Sequence, residues 1–187
     1  MSEQEDKISI LHGGGGVYMH KLLKEQIVPR FKPRKSLEIP LSLLADSAVI
    51  EEIAFTTDSY TVKPIFFPGG DIGVLSVAGT VNDISVMGAE PLALSLAMVL
   101  EEGFPLQDLD RILASVRSTS DVADVPVITG DTKVVEKGAV DDLIMNTSGI
   151  GLRSPVLDHN LEVVREYRVL KERWLRDSNL RAGDKII

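Results

Sequence analysis

Apolar residues recur at helix or strand spacing along most of the chain. From Val17 to about Arg30, the residues Val17, Leu22, Leu23 and Ile27 share one helical face, and Pro29 and Pro33 close that helix or follow it. Ile53-Ala54-Phe55-Thr56-Thr57 reads as a strand ending at Asp58. A second strand is expected over Tyr60–Phe67, interrupted by Pro64. Pro68-Gly69-Gly70 predicts a turn and Asp71 an N-cap, followed by a helix burying Val74, Leu75, Ala78, Val81 and Val86. Gly88 stands where a C-cap glycine belongs, and Pro91 stops further helix.

Leu92–Leu100 is an apolar run of strand length. Gly103 and Pro105 open a helix carrying Leu106, Leu109, Ile112, Leu113 and Val116. Pro126–Thr129 reads as a short strand running into Gly130-Asp131, and Leu143–Ile150 as another. Residues 158–178 are dense in charge, with Leu161, Val164, Leu170, Trp174 and Leu175 between, which predicts an amphipathic helix. Arg181–Ile187 reads as a turn into a strand, so a further domain is expected to follow. Helices and strands are mixed and several strands are expected to be antiparallel, giving an α+β fold. The chain divides into a flexible glycine-rich segment (1–16), one domain (17–153), and a charged helical insertion beginning a second domain (154–187).

Composition narrows the chemistry. With 44% hydrophobic residues, the 187-residue chain is ordinary for a globular core, and it holds no long uncharged apolar run that would span a membrane. Its polar, acidic start (Ser2-Glu3-Gln4-Glu5-Asp6) is unlike a secretory signal, so the cytoplasm is the expected compartment. A net charge of −8 argues against nucleic-acid binding, which needs a basic surface. It does not argue against nucleotides, because Mg²⁺ bridges carboxylates to phosphates. The absence of cysteine excludes thiolate metal sites and thiol nucleophiles within the chain.

No Walker A motif, dinucleotide fingerprint or His-Glu-x-x-His is present. What remains is four aspartates in unusual company: Asp46 before Ser47-Ala48-Val49, Asp58 in Thr56-Thr57-Asp58-Ser59, Asp83 after Asn82 in an apolar helix, and Asp131 in Gly130-Asp131-Thr132-Lys133. Asp46 reads equally well as a turn cap, Asp58 as a strand-end residue and Asp131 as half of a Gly-Asp turn. Asp83 is the hardest to explain away, because a carboxylate on a mostly buried helix needs a partner. Converging carboxylates need raised pKa values or a cation. Oxygen-only ligation suits Mg²⁺, with Lys63 and Lys133 as point charges for phosphate and the glycine loop after His12 supplying backbone N–H groups.

Four blocks carry a family resemblance. Thr57-Asp58-Ser59-Tyr60-Thr61-Val62-Lys63-Pro64-Ile65-Phe66-Phe67-Pro68-Gly69-Gly70-Asp71-Ile72-Gly73 resembles the signature of the HypE family of hydrogenase maturation proteins. Gly79-Thr80-Val81-Asn82-Asp83-Ile84-Ser85-Val86-Met87-Gly88-Ala89-Glu90-Pro91, Thr129-Gly130-Asp131-Thr132-Lys133-Val134-Val135 and the loop His12-Gly13-Gly14-Gly15-Gly16 follow in family order. The wider superfamily, similar to aminoimidazole ribonucleotide (AIR) synthetase (PurM), includes selenophosphate synthetase and thiamine-monophosphate kinase.

The resemblance implies a PurM N-terminal-domain-like mixed sheet with helices on one face, completed into a barrel by homodimerisation. It implies ATP and Mg²⁺ as ligands, with Asp46, Asp58, Asp83 and Asp131 at metal or phosphate positions. Asn82, Thr132, Lys133, Lys63, Gly13 and Gly14 would lie near the nucleotide. The family activity is ATP-dependent dehydration of an S-carbamoyl cysteine to a thiocyanate, with a HypF-type carbamoyl donor and a HypC–HypD acceptor. The cysteine acceptor is not in this chain, so complete turnover by the chain alone is not expected. Two other assignments stay open: another ATP-dependent kinase or synthetase of the superfamily, and a non-catalytic docking or dimerisation module.

Overall fold

The structure, a computed structural model, describes residues 7–31 and 37–184; the acidic start, Pro33 and the apolar end at 185–187 lie outside the described residues. Five strands form the main sheet: β1 (Ala48–Ile50), β2 (Ile53–Tyr60), β5 (Ala89–Glu101), β6 (Val127–Val135) and β7 (Leu143–Arg153). A short hairpin, β3 (Phe66–Phe67) with β4 (Gly70–Asp71), stands apart. The sheet order is β1-β2-β7-β5-β6, antiparallel except for β5 with β6. A parallel pair requires a crossover, and helix α3 (Leu106–Ala123) makes it. The fold is therefore a mixed α+β one. Within one chain the sheet is open.

Helix α1 (Gly16–Leu22) continues through a wide turn at Leu23–Ile27 and a 3₁₀ turn at Val28–Arg30, close to the span its apolar spacing predicts. Helix α2 (Ile72–Ser85) starts at the expected cap: the Asp71 carboxylate accepts from the amides of Gly73 and Val74 at 2.8 and 3.1 Å. Its buried face overlaps the predicted one only in part: Val81 packs against the core, and Val74 and Ala78 are half-buried. Leu75 and Val86 are exposed, whereas Ile72, Gly73, Ser76, Val77, Thr80 and Ile84 are buried. Gly73 stands where a β-carbon would meet the Ile112 carbonyl oxygen of α3, and Ser76 and Thr80 share the stripe with the larger Ile72, Val77 and Ile84.

Several strand expectations shift for local reasons. β2 runs through Asp58 to Tyr60, because β7 pairs with it along all eight residues. Pro91 does not bound β5 but lies inside it, at a register irregularity where its missing N–H is tolerated. Gly130-Asp131 is no turn, because β6 continues to Val135 along the parallel partner β5.

Burial falls on one face. Along β7, Leu143, Met145, Thr147, Gly149 and Gly151 are buried, while Ile150 and Leu152 on the other face are exposed. α2 packs over β2, β7 and β5, and α3 packs on α2, both on the buried face. One apolar cluster there joins Ile72, Val77, Leu94, Ile112, Val116 and Met145.

The charged stretch is only partly helical: α4 (Pro155–Tyr167) starts at a Ser154 cap, and the chain beyond it is irregular apart from a short 3₁₀ turn at Asp177–Asn179. This stretch packs on the domain. Leu157, Leu161, Leu170 and Trp174 join a second cluster with Val49, Ala54, Ile84 and Met87. The Trp174 Nε1–H donates to Glu38 Oε2 at 2.6 Å, and the Arg153 guanidinium lies 5.1 Å from the Trp174 ring while binding Asp158 at 2.6 Å. Among the described residues, no helix is long and apolar enough to cross a membrane.

Two outcomes are expected. Trp174, 2% exposed, anchors the strap after α4. Trp174→Ala should destabilise the fold by about 3–5 kcal/mol in urea denaturation; an unchanged midpoint would mean that the strap is not part of the core. A β-carbon on Gly151 would lie 2.4 Å from Ile84 Cγ2 and 2.8 Å from the Glu90 carbonyl oxygen. Gly151→Ala should lose about 1–3 kcal/mol, while Gly14→Ala, with no atom within 4 Å, stays within about 0.5 kcal/mol of wild type.

Candidate functional site

Strand alternation puts Ala54, Thr56, Asp58 and Tyr60 of β2 on the face that α2 covers. α2 runs back along this strand, so its last turn brings Asp83 to the level of Thr56. The Thr56 hydroxyl lies 3.3 Å from Asp83 Oδ2 and donates to the Asp46 carbonyl at 2.8 Å. The Ser47 hydroxyl donates to the Asp83 carbonyl at 2.8 Å. The segment leading into β1 is thus knitted to the C-terminal end of α2.

Asp46, Asp58 and Asp83 are neighbours in consequence. Burial raises the Asp83 pKa above the ordinary value of 3.8, and the nearby Asp58 and Asp46 carboxylates raise it further, partly opposed by the Thr56 hydrogen bond. Asp83 is half-buried and the other two are exposed. Among the described residues, no lysine or arginine forms a salt bridge with any of the three. Nor do any three His, Cys, Asp or Glu residues there form a ready-made metal cage. Mg²⁺ is commonly held by one or two carboxylates plus waters and substrate phosphates, so a half-buried aspartate beside two exposed ones suits it without such a cage.

Asp131 is not brought to this group within the chain. It pairs across the sheet with Ala97, which is opposite Asn146, whereas Asp58 lies in the row of Thr147, Leu96 and Gly130. The two aspartates therefore point to opposite faces, and three strand spacings separate them, about 14 Å. Thr132 and Lys133 lie on the same exposed edge strand β6. Lys63 is also elsewhere: exposed at the far end of β2, its ammonium pairs with Asp141, which raises its pKa. Gly13 and Gly14 are exposed in the turn before α1, with no atom within 4 Å of a β-carbon at Gly14. Asn82 is exposed on α2 beside Asp83.

Residue-by-residue reading passed over Thr56 and Ser47, the two hydroxyls that hold the cluster. The available signal was the two-residue spacing of Thr56 and Asp58, which puts both on one face of a strand. Beneath them runs a buried chain: Tyr60 Oη to Thr80 Oγ1 at 3.0 Å, Thr80 Oγ1 to Thr147 Oγ1 at 2.5 Å, and Thr147 Oγ1 donating to the Ser76 carbonyl at 2.8 Å. Burial raises the Tyr60 pKa. The hydroxyl is held as a neutral group in that chain.

Comparison with known proteins gives this geometry a context. The model of the AIR synthase related protein N-terminal domain matches residues 44–153. A putative hydrogenase expression/formation protein of Methanocaldococcus jannaschii is 47% identical over 97% of this chain and 50% of its own length. Carbamoyl dehydratase HypE of Rhodobacter capsulatus is 44% identical over 83% of the chain and 46% of its own. The chain thus spans about half the length of the curated relatives it matches. Among solved structures, a HypE–HypF complex has a TM-score of 0.65 at 48% identity, covering 70% of this chain and 42% of that one. HypE in complex with ATP has a TM-score of 0.55 at 43% identity, covering 79% and 44%. The chain belongs to the AIR synthase-related family, carries its N-terminal domain over residues 44–153, and is similar within it to the hydrogenase maturation protein HypE.

Proposed function

We propose that this chain is the ATP-binding, self-associating half of a cytoplasmic hydrogenase-maturation enzyme of the HypE type. The observation that carries the proposal is the Asp46–Asp58–Asp83 cluster, whose inner carboxylate has its pKa raised by burial and by its neighbours and has no basic partner among the described residues. A divalent cation carried in with nucleotide phosphates would supply the missing positive charge. Mg²⁺ would bind at Asp58 and Asp83, with Asp46 nearby, and would neutralise phosphate charge. The similar protein crystallised with ATP supports nucleotide as the ligand.

The reaction proposed for the whole enzyme is ATP-dependent dehydration of an S-carbamoyl cysteine to a thiocyanate. This chain contributes the nucleotide site and not the acceptor, because it contains no cysteine. The similar HypE solved with HypF supports a HypF-type carbamoyl donor as partner. A HypC–HypD assembly as the cyanide acceptor follows from the family resemblance.

Self-association follows from the open face. Ile50, Ile53, Phe55, Ile150 and Leu152 are all 38–52% exposed, and the strand register sets them side by side on the face away from α2. β1 covers β2 only as far as Phe55, so among the described residues no strand pairs with the edge Thr56–Tyr60 or with the outer edge of β6. Unpaired edges and a bare apolar face are both relieved if two copies close their sheets into a barrel. Pairing a second copy's β6 along the free β2 edge would also bring its Asp131, Thr132 and Lys133 towards Asp58.

Two measurements check these proposals. Calorimetry should detect Mg²⁺-dependent ATP binding by wild type, weakened at least tenfold in Asp83→Asn. Because the folded-state pKa is raised, ionised Asp83 costs stability at pH values above that pKa. The penalty fades as pH falls through the folded pKa and is absent below 3.8. Ligand-free Asp83→Asn should therefore melt no lower than wild type at pH 7. Equal ATP affinity in the two proteins would remove the metal role. Separately, analytical ultracentrifugation at micromolar concentration should find a wild-type dimer and a Phe55→Asp monomer; a monomeric wild type rules the barrel out.

A further inference from the structure

Three carboxylates from three separate segments do not hold a common geometry by themselves, since like charges push apart. One side chain touches two of those segments. Thr56, 6% exposed, places its hydroxyl 2.8 Å from the Asp46 carbonyl and 3.3 Å from Asp83 Oδ2. Resting on the nucleotide-binding role proposed above, we infer that Thr56 is the positioning residue of this site, its hydroxyl tying the Asp46 segment to the Asp83 carboxylate and so setting the span that a cation bridges.

The chemistry of the hydroxyl makes the tie specific. It has one proton, and both neighbours are acceptors, so they share that donor. Neither a main-chain carbonyl nor an ionised carboxylate can replace it. Ser47 secures the other side through the Asp83 main chain, which fixes the backbone and leaves the carboxylate free to turn. Aim of the carboxylate is therefore left to Thr56. Valine at this position keeps the shape and the branched β-carbon while deleting only the donor. Serine keeps the donor.

The test is ATP titration by calorimetry with and without Mg²⁺, on wild type, Thr56→Val, Thr56→Ser, Asp83→Asn and the double variant Thr56→Val/Asp83→Asn. Thr56→Val should weaken the Mg²⁺-dependent affinity about tenfold, the factor expected for one hydrogen bond to a charged group. Metal-free ATP affinity should not change, and Thr56→Ser should stay within about twofold of wild type. If Thr56 acts through Asp83, adding Thr56→Val to Asp83→Asn weakens binding no further. Wild-type affinity in Thr56→Val, or an equal loss in Thr56→Ser, overturns the inference while leaving the nucleotide role intact. Absence of Mg²⁺-dependent binding in wild type overturns both. Should Thr56→Val fail to fold, Thr56→Ala carries the same expectation and the same refutation.

Discussion

The seating of α2 on β7 is the constraint from which the rest follows. Gly149 and Gly151 lie under the last turns of the helix, where β-carbons would come within 2.5 and 2.4 Å of Ile84 atoms. On the helix side Gly79 is equally committed, since a β-carbon there would lie 2.3 Å from the Tyr60 hydroxyl. Glycine on the strand makes room for the Ile84 side chain, while Ser76 and Thr80 on the same helix face bring hydroxyls into the buried layer. Their hydroxyls must then find partners: Ser76 donates to the Gly73 carbonyl, and Thr80 joins the chain from Tyr60 through Thr147 to the Ser76 carbonyl. Close seating also brings Asp83 within reach of Thr56. The site is thus a consequence of the same packing that makes the core.

Much of this architecture could be read from residues, and the failures share a cause. Apolar periodicity located α2, α3, β5 and β7, and Asp71 marked the start of α2 correctly. For α2 it placed Val81 against the core but also Leu75 and Val86, which are exposed, and passed over Ile72, Val77 and Ile84, whose face also carries Gly73, Ser76 and Thr80. Strands were expected to start at Leu92 and to stop at Thr129, yet β5 takes in Pro91 and β6 continues through Gly130, because pairing outweighs local propensity. The candidate site stood out in the sequence as an oddity, four aspartates lacking evident partners. Which of them meet depends on topology: Asp58 and Asp131 each sit in a strand, and a one-residue difference in pairing row sends them to opposite faces.

Charge distribution gives the cluster its meaning. The net charge is −8, and three arginines are committed away from the cluster: Arg153 to Asp158, Arg173 to Glu38 and Glu52, Arg168 to Asp184. Lys63, the basic residue in the signature block, is held by Asp141. A purely structural carboxylate on a helix this well packed would be expected to have such a partner, because desolvating an ion without a counter-charge is expensive. Asp83 instead has two further carboxylates and a shared hydroxyl. Burial and those carboxylates raise the Asp83 pKa, so ionising it costs more in the fold than in the unfolded chain. Among the described residues, the three carboxylates of the cluster stand without the counter-charge that Arg153, Arg168, Arg173 and Lys63 give their own acidic partners.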